Sequence, residues 1–183
     1  LDWAVQEARR RHPDLHDQDF SMAMFADVTA ESVAPTMIEQ CERLRPDLVI
    51  YEAMNTGAGV AASVLGIPAV AYAIALASFF YGSLHGATAA YQREVWLQRG
   101  RTPPKANGLL AAALIDPAPP TLRRPGDGED VIIPIRAVAY NESTAEVPAW
   151  LSETRTRPRV YLTLGSVAFG AVEVLTTQLR RLD

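Results

Sequence analysis

The chain is short of the residue types on which several functions depend. It has one cysteine among 183 residues, so no disulfide can form within it. That residue, Cys41, falls on the apolar stripe of a predicted helix, where a small thiol behaves as a buried hydrophobe. Only three histidines are present, His12, His16 and His85, and they are scattered. With a single cysteine they make no metal-ligand set, and no metal is expected. Charge of one sign is lacking too. The 17 basic and 21 acidic residues leave a net −4, which gives no electrostatic footprint for nucleic acid or an anionic membrane. The basic residues Arg9, Arg10 and Arg11 lie beside Asp14, Asp17 and Asp19 and read as a solvated helix face.

Between Ala53 and Leu84 there is no charge at all, a stretch long enough to raise the question of a membrane span. Gly66-Ile67-Pro68 interrupts it with a helix-stop signal, and Asn55, Thr56 and Ser63 dilute its start. Two short buried elements are expected instead, and a cytoplasmic protein. A G-x-S-x-G nucleophile elbow is absent, so a hydrolase triad has no serine. The chain opens on Leu1 within one helical pattern and stops at Asp183 within another. Both ends read as cut, so no signal peptide can be judged.

What is present is an ordinary globular composition, 49% hydrophobic and 21% charged. Leu1 to Arg11 reads as the tail of a helix ended before Pro13. Phe20 to Leu44 is largely helical, with Val33, Met37, Cys41 and Leu44 on one face. Asp47 to Tyr51 is a short run with a β-rich apolar core and no polar alternation, the pattern of a strand buried on both faces of a parallel sheet. A small-residue helix over Thr56–Leu65, a strand over Ala69–Tyr72 and a helix from Ser83 to Arg99 follow. Leu109 to Ile115 fits helix or strand, and Val131 to Ile135 is a late strand. This alternation argues for an α/β sheet with crossover helices. Tyr140 to Arg157 is polar and reads as a linker. Beyond it Arg159–Leu164 gives a fresh strand and Val172–Leu182 a helix.

Four motifs carry chemistry. Glu52 follows its strand directly and so stands on the carboxyl-end rim, where open parallel sheets bind ligands. A carboxylate there can orient a histidine base, or it can simply cap the helix that starts a few residues on. Gly57-Ala58-Gly59-Val60-Ala61-Ala62 matches G-x-G-x-x-A, but it lies too far past the strand and no acid closes the next one. Its glycines are read as close packing, and a nicotinamide site is a weak third alternative. The Gly165–Gly170 loop brings Gly165, Ser166 and backbone N–H groups to a helix start, a generic anion-binding arrangement without a P-loop lysine. Phe79, Phe80, Tyr81 and His85 follow another strand and could line an apolar acceptor pocket or lie under a loop as core.

Together these segments resemble the bacterial antibiotic-type glycosyltransferases of the GT-B fold. The resemblance is carried, in order, by Arg45-Pro46-Asp47-Leu48-Val49-Ile50-Tyr51-Glu52, Leu65-Gly66-Ile67-Pro68-Ala69-Val70 and Asp116-Pro117-Ala118-Pro119-Pro120-Thr121-Leu122. Pro134-Ile135-Arg136, Tyr140-Asn141, Val147-Pro148-Ala149-Trp150-Leu151 and the run from Arg157 to Ser166 continue it. It implies most of an N-terminal Rossmann-like acceptor domain over 1–139 and a linker over 140–157. The first strand–helix unit of a nucleotide-sugar-binding domain would occupy 158–183.

Such enzymes invert the anomeric centre without metal or cofactor, taking a UDP- or TDP-sugar as donor and a macrolide, polyketide or enediyne aglycone as acceptor. Glu52 falls where the family places the acid, often Asp, that partners a histidine base. Gly165 and Ser166 match the loop near the donor diphosphate, and Met54, Asn55, Phe79, Phe80 and His85 fall on the acceptor side. Glu142 departs from the family by replacing a glycine. The strand bearing the histidine base and the His/Gly-rich donor motif have no counterpart here. Neither His12 nor His16 substitutes, because both lie in a polar segment broken by Pro13. The expected activity is therefore sugar transfer by an enzyme of which this chain is an incomplete part. The alternative function is a catalytically inactive aglycone-binding or auxiliary partner protein; the partners expected are the aglycone and the nucleotide-sugar, with a homodimer or an auxiliary protein as the macromolecular options.

Overall fold

A computed structural model describes residues 2–80, 84–104, 110–123, 131–138, 146–153 and 176–177. Two compact units divide the chain, Leu1–Val138 and Ala139–Asp183. The strand expected over 159–164, the helix expected over 172–182 apart from residues 176–177, and most of the expected linker lie outside the described residues; the second unit contains the short helical turn Ala149–Ser152.

The first unit is a four-stranded parallel sheet. Its strands are β1 (Val49–Glu52), β2 (Ala69–Tyr72), β3 (Ala113–Asp116) and β4 (Ile132–Pro134), in the order β1-β2-β3-β4. Tyr51, Ala71, Leu114 and Ile132 stand side by side across it, as do Glu52, Tyr72, Ile115 and Ile133. The stretch open to two readings, Leu109 to Ile115, thus ends as strand. Parallel neighbours on both sides supply β3 with ladder hydrogen bonds that the alanines' helix propensity cannot outweigh.

Helices α1 (Asp2–Arg11), α2 (Asp17–Ala23), α3 (Ala30–Leu44), α4 (Thr56–Leu65), α6 (His85–Tyr91) and α7 (Arg93–Leu97) accompany the sheet, with a single turn α5 (Ala77–Phe79) between β2 and α6. The core holds Tyr51, Ala71 and Leu114 from the sheet, with Cys41, Ala58, Ala62, Phe80 and Leu84 from the helical segments. Burial also raises the Cys41 thiol pKa.

Three expectations need correction. β1 is not buried on both faces: Val49 and Tyr51 are covered, but Ile50 is 64% exposed. The described helices cover one face of the sheet, and β1 stands at the end of the strand order, so its burial alternates. The buried stripe of α3 is Ala30, Ala34, Ile38 and Cys41, whereas Leu44 is 65% exposed. The helix expected over 83–99 breaks at Gln92, which bridges α6 and α7 with non-helical angles.

The α3 stripe and the Gln92 break share a neighbour, the π-helical segment Met24–Thr29 that joins α2 to α3. Its wider turns leave main-chain carbonyls for side chains to satisfy. Thr29 Oγ1 donates to Met24 O at 3.0 Å and Thr56 Oγ1 to Phe25 O at 3.3 Å. Gln92 Nε2 donates to Ala26 O at 3.3 Å and to Asp27 O at 2.9 Å. Pro35 inside α3 can donate no bond of its own. α1 is tied to the same segment: Arg11 meets Asp27 at 3.2 Å, and His12 Nε2 lies 2.9 Å from Asp27 Oδ2. Arg9, for its part, stacks over Phe20 at 3.8 Å. The basic run is therefore a fastening as well as a solvated face.

The G-x-G-x-x-A glycines pack helices. A Cβ on Gly57 would stand 2.7 Å from Val33 Cβ on α3, and one on Gly59 would stand 2.5 Å from the Tyr51 hydroxyl on β1. Among the described residues no helix is long and apolar enough to cross a membrane.

Candidate functional site

The carboxyl ends of the four strands form one rim, and each chain is pinned as it leaves. Ala53 N–H donates to Tyr72 O at 2.8 Å, Ala73 N–H to Ile115 O at 2.8 Å and Ile135 N–H to Asp116 O at 3.1 Å. Side chains just past these bonds are held by the ladder below them.

Glu52 stands on this rim and is exposed. Its Oε1 accepts the Met54 N–H at 2.8 Å, and its main-chain O accepts Asn55 N–H at 2.7 Å. The carboxylate thus closes its own turn before α4, and Oε2 accepts no hydrogen bond among the described residues. Both readings of Glu52 are compatible with this geometry. All three histidines lie in described positions, and none bonds it. His12 pairs with Asp27, His16 caps α2 through its backbone, and His85 bonds the neighbouring residue.

His85 is fully buried, and both ring nitrogens are engaged. Nε2 lies 2.9 Å from Ala53 O, which can only accept, so this nitrogen carries the proton. Nδ1 accepts Leu110 N–H at 3.1 Å. Desolvation, only partly offset by the Ala53 bond, pushes its pKa down to about 4, so the ring is neutral. Phe80 is likewise fully buried, in edge contact with Phe79 at 5.3 Å. The expectation that Phe80 and His85 contact an acceptor does not fit these positions. They are core beneath the rim, and His85 clasps the β1–α4 turn to the chain entering β3. Phe79 and Met54 are half-buried against the core, while Asn55 is exposed at the start of α4 with no side-chain cap bond. Gly165 and Ser166 lie outside the described residues.

The open part of the rim is elsewhere. Past β3 and β4 lies a cleft of about 440 Å³, walled by Pro117, Pro119, Pro120 and Pro134 with Ile135 and Ala137, and edged by Arg123 and Arg136. A shallower hollow of about 450 Å³ adjoins it, sharing Pro117, Ala118 and Ala137 and reaching Ile74 and Leu76 past β2. Both volumes fall in the range of small-molecule sites. The cleft's shape depends on Asp116, a fully buried carboxylate at the end of β3. Its Oδ1 accepts Ala118 N–H at 2.8 Å and its Oδ2 accepts Arg123 Nε at 2.7 Å; Arg123 Nη2 reaches Ala118 O at 3.4 Å. One buried acid thereby folds the proline loop back on itself.

Residues 116–122 and 134–136 carry part of the family resemblance, yet the sequence alone does not assign them to a site. Their signal was the acid ending a strand, followed by three prolines and an arginine.

Comparison with known proteins agrees with this architecture. Residues 3–165 match the family described as erythromycin biosynthesis protein CIII-like, N-terminal domain. The chain is 30% identical to the 10-deoxymethynolide desosaminyltransferase of Streptomyces venezuelae, in an alignment covering 74% of this chain and 34% of that protein. It is 29% identical to the TDP-daunosamine transferase DnrS of Streptomyces peucetius, covering 84% and 40%. It therefore spans about two fifths or less of the length of these relatives. Among solved structures, the glycosyltransferase SnogD from Streptomyces nogalater superposes with a TM-score of 0.61 at 24% identity, covering 92% of this chain and 46% of that one. SsfS6 from Streptomyces sp. SF2575, complexed with thymidine diphosphate, gives 0.57 at 23%, covering 88% and 43%. The fold is that of GT-B glycosyltransferases, and the four-stranded sheet belongs to its N-terminal Rossmann-like domain.

Proposed function

Since the chain belongs to the erythromycin biosynthesis protein CIII-like N-terminal domain family, we propose that it is the acceptor-binding part of a glycosyltransferase. The enzyme moves a sugar from a TDP- or UDP-sugar to a hydroxyl of a natural-product aglycone. The observation that carries this reading is the proline-walled cleft on the carboxyl-end rim, where a parallel α/β sheet receives its ligand.

The transfer proposed is inverting and uses no metal. A histidine of the complete enzyme takes the acceptor hydroxyl's proton as its oxygen attacks the anomeric carbon. The nucleoside diphosphate leaves with the electrons of the broken C–O bond. Glu52, with Oε1 fixed on Met54 N–H and Oε2 without a hydrogen bond among the described residues, is the acid that would steady the imidazolium. Gly165 and Ser166 would hold the diphosphate. Met54, Asn55 and Phe79 are the rim residues left from the expected acceptor set, and the cleft past β3 and β4 adds to them.

The test is a transfer assay on the enzyme that contains this chain, with a TDP-sugar and a hydroxylated macrolactone or polyketide, the glycoside being read by mass spectrometry. Product is expected, and Glu52→Gln should reduce turnover at least a hundredfold, the scale of a lost acid–base partner. Unchanged turnover would remove Glu52 from the mechanism. The alternative is an aglycone-binding auxiliary protein, for which the same apolar cleft would serve. Aglycone binding without any glycoside would select it.

A further inference from the structure

The two arginines at the cleft differ in what they have left to offer. Arg123 is spent: its Nε is on the buried Asp116 carboxylate and its Nη2 on Ala118 O, so the pair is neutral as a unit. Arg136 lines the same cleft from the β4 side, is exposed, and forms no ion pair among the described residues. Beneath these two groups the walls are proline, alanine and isoleucine. Proline has no rotamers to freeze and fixes its own φ, so these walls are ready to bind without further ordering. A rigid apolar slot with a guanidinium at its mouth that has no ion-pair partner among the described residues has a definite complement.

We propose that this cleft seats an apolar small molecule bearing one anionic group, a carboxylate or acidic enol, and that Arg136 selects for that group. Guanidinium binds a carboxylate through paired N–H donors, and an apolar surround strengthens the contact. A nucleoside diphosphate fits poorly, because it brings several charges and needs several donors, whereas the floor here is hydrocarbon. The inference rests on the acceptor-binding reading only in treating the ligand as an acceptor. Binding itself needs no sugar transfer.

The probes are 2-naphthoate and its neutral isostere 2-naphthamide, titrated by calorimetry into the full chain at low salt. Naphthoate should bind about tenfold more tightly, a difference of about 1.4 kcal/mol. Arg136→Gln should erase that preference while leaving the naphthamide Kd unchanged, and Arg136→Lys should restore part of it. Arg136 is exposed, so neither variant should affect folding. Equal Kd values in the parent chain would overturn the proposal. So would a preference that survives Arg136→Gln, no binding of either probe at millimolar concentration, or displacement of naphthoate by thymidine diphosphate at lower concentration than by unlabelled naphthoic acids. Should the transfer assay fail while the Arg136-dependent preference persists, the acceptor-binding function falls and the anion-selective cleft stands.

Discussion

The two ends of the rim obey different rules. At the β1 end, the turn from Glu52 to Gly59 is filled and satisfied: Gly57 and Gly59 bring α4 against α3 and Tyr51, Ala53 O is taken by His85, and Glu52 bonds its own turn. At the β3–β4 end, prolines stand apart around an open cleft and one buried ion pair holds the loop. The first end uses its polar groups to fix backbone, and the second exposes apolar wall and Arg136, which has no ion-pair partner among the described residues. Chemistry-bearing residue types therefore mark the closed end, while the open end is built from residues that carry little chemistry of their own.

The sharpest way to break this contrast is to remove the buried charge of Asp116. Asp116→Ala leaves Arg123 and the Ala118 N–H without their acceptor and should cost about 3–5 kcal/mol, read as a fall in the urea midpoint. Asp116→Asn can still accept the Ala118 N–H and should cost less.

Next in size is the His85 clasp. His85→Phe would orphan Ala53 O and Leu110 N–H in the core, at about 1–3 kcal/mol for each buried group. A pH titration examines the same residue. The folded pKa of about 4 lies below the unfolded value of about 6.5, so between those values the unfolded chain binds the proton that the folded chain refuses. Stability should therefore fall as pH drops from about 6.5 to about 4, by roughly 3 kcal/mol at most. His85→Phe should flatten that part of the curve. A slope unchanged in the variant would mean that His85 is not the titrating group.

Smaller effects sharpen the closed end. The Tyr51 hydroxyl is buried with no hydrogen-bond partner among the described residues, and desolvation raises its pKa. Tyr51→Phe removes an unsatisfied group without losing volume and should be neutral or stabilising by about 1 kcal/mol. Arg45 ends α3 in the left-handed region at φ 50°, so Arg45→Gly should raise the melting midpoint slightly, by about 0.5–1 kcal/mol of relieved strain.

Much of the fold was legible because periodicity and punctuation are local. β1, α4, β2 and β4 follow from apolar runs bounded by Pro46, Gly66-Ile67-Pro68 and Pro134. What escaped was set by contacts distant in sequence. The π-helical segment persists because Thr56 and Gln92, far along the chain, supply donors to its carbonyls. Ile50 is bare because no described helix covers its face of the sheet. The site was legible as a place, the carboxyl-end rim, but not as a set of residues. Phe80 and His85 sit on the appropriate segment yet turn inward, and only three-dimensional packing distinguishes an aromatic lining a pocket from one filling the core.

The most direct measurement is methyl NMR of the full chain during a 2-naphthoate titration. Shifts are expected at Ala118, Ile135 and Ala137, which line the cleft, with Ala53, Ala58 and Ala62 unmoved. Shifts confined to the Ala53–Ala62 group, with the cleft methyls silent, would contradict binding in the cleft and return the binding site to the β1 end.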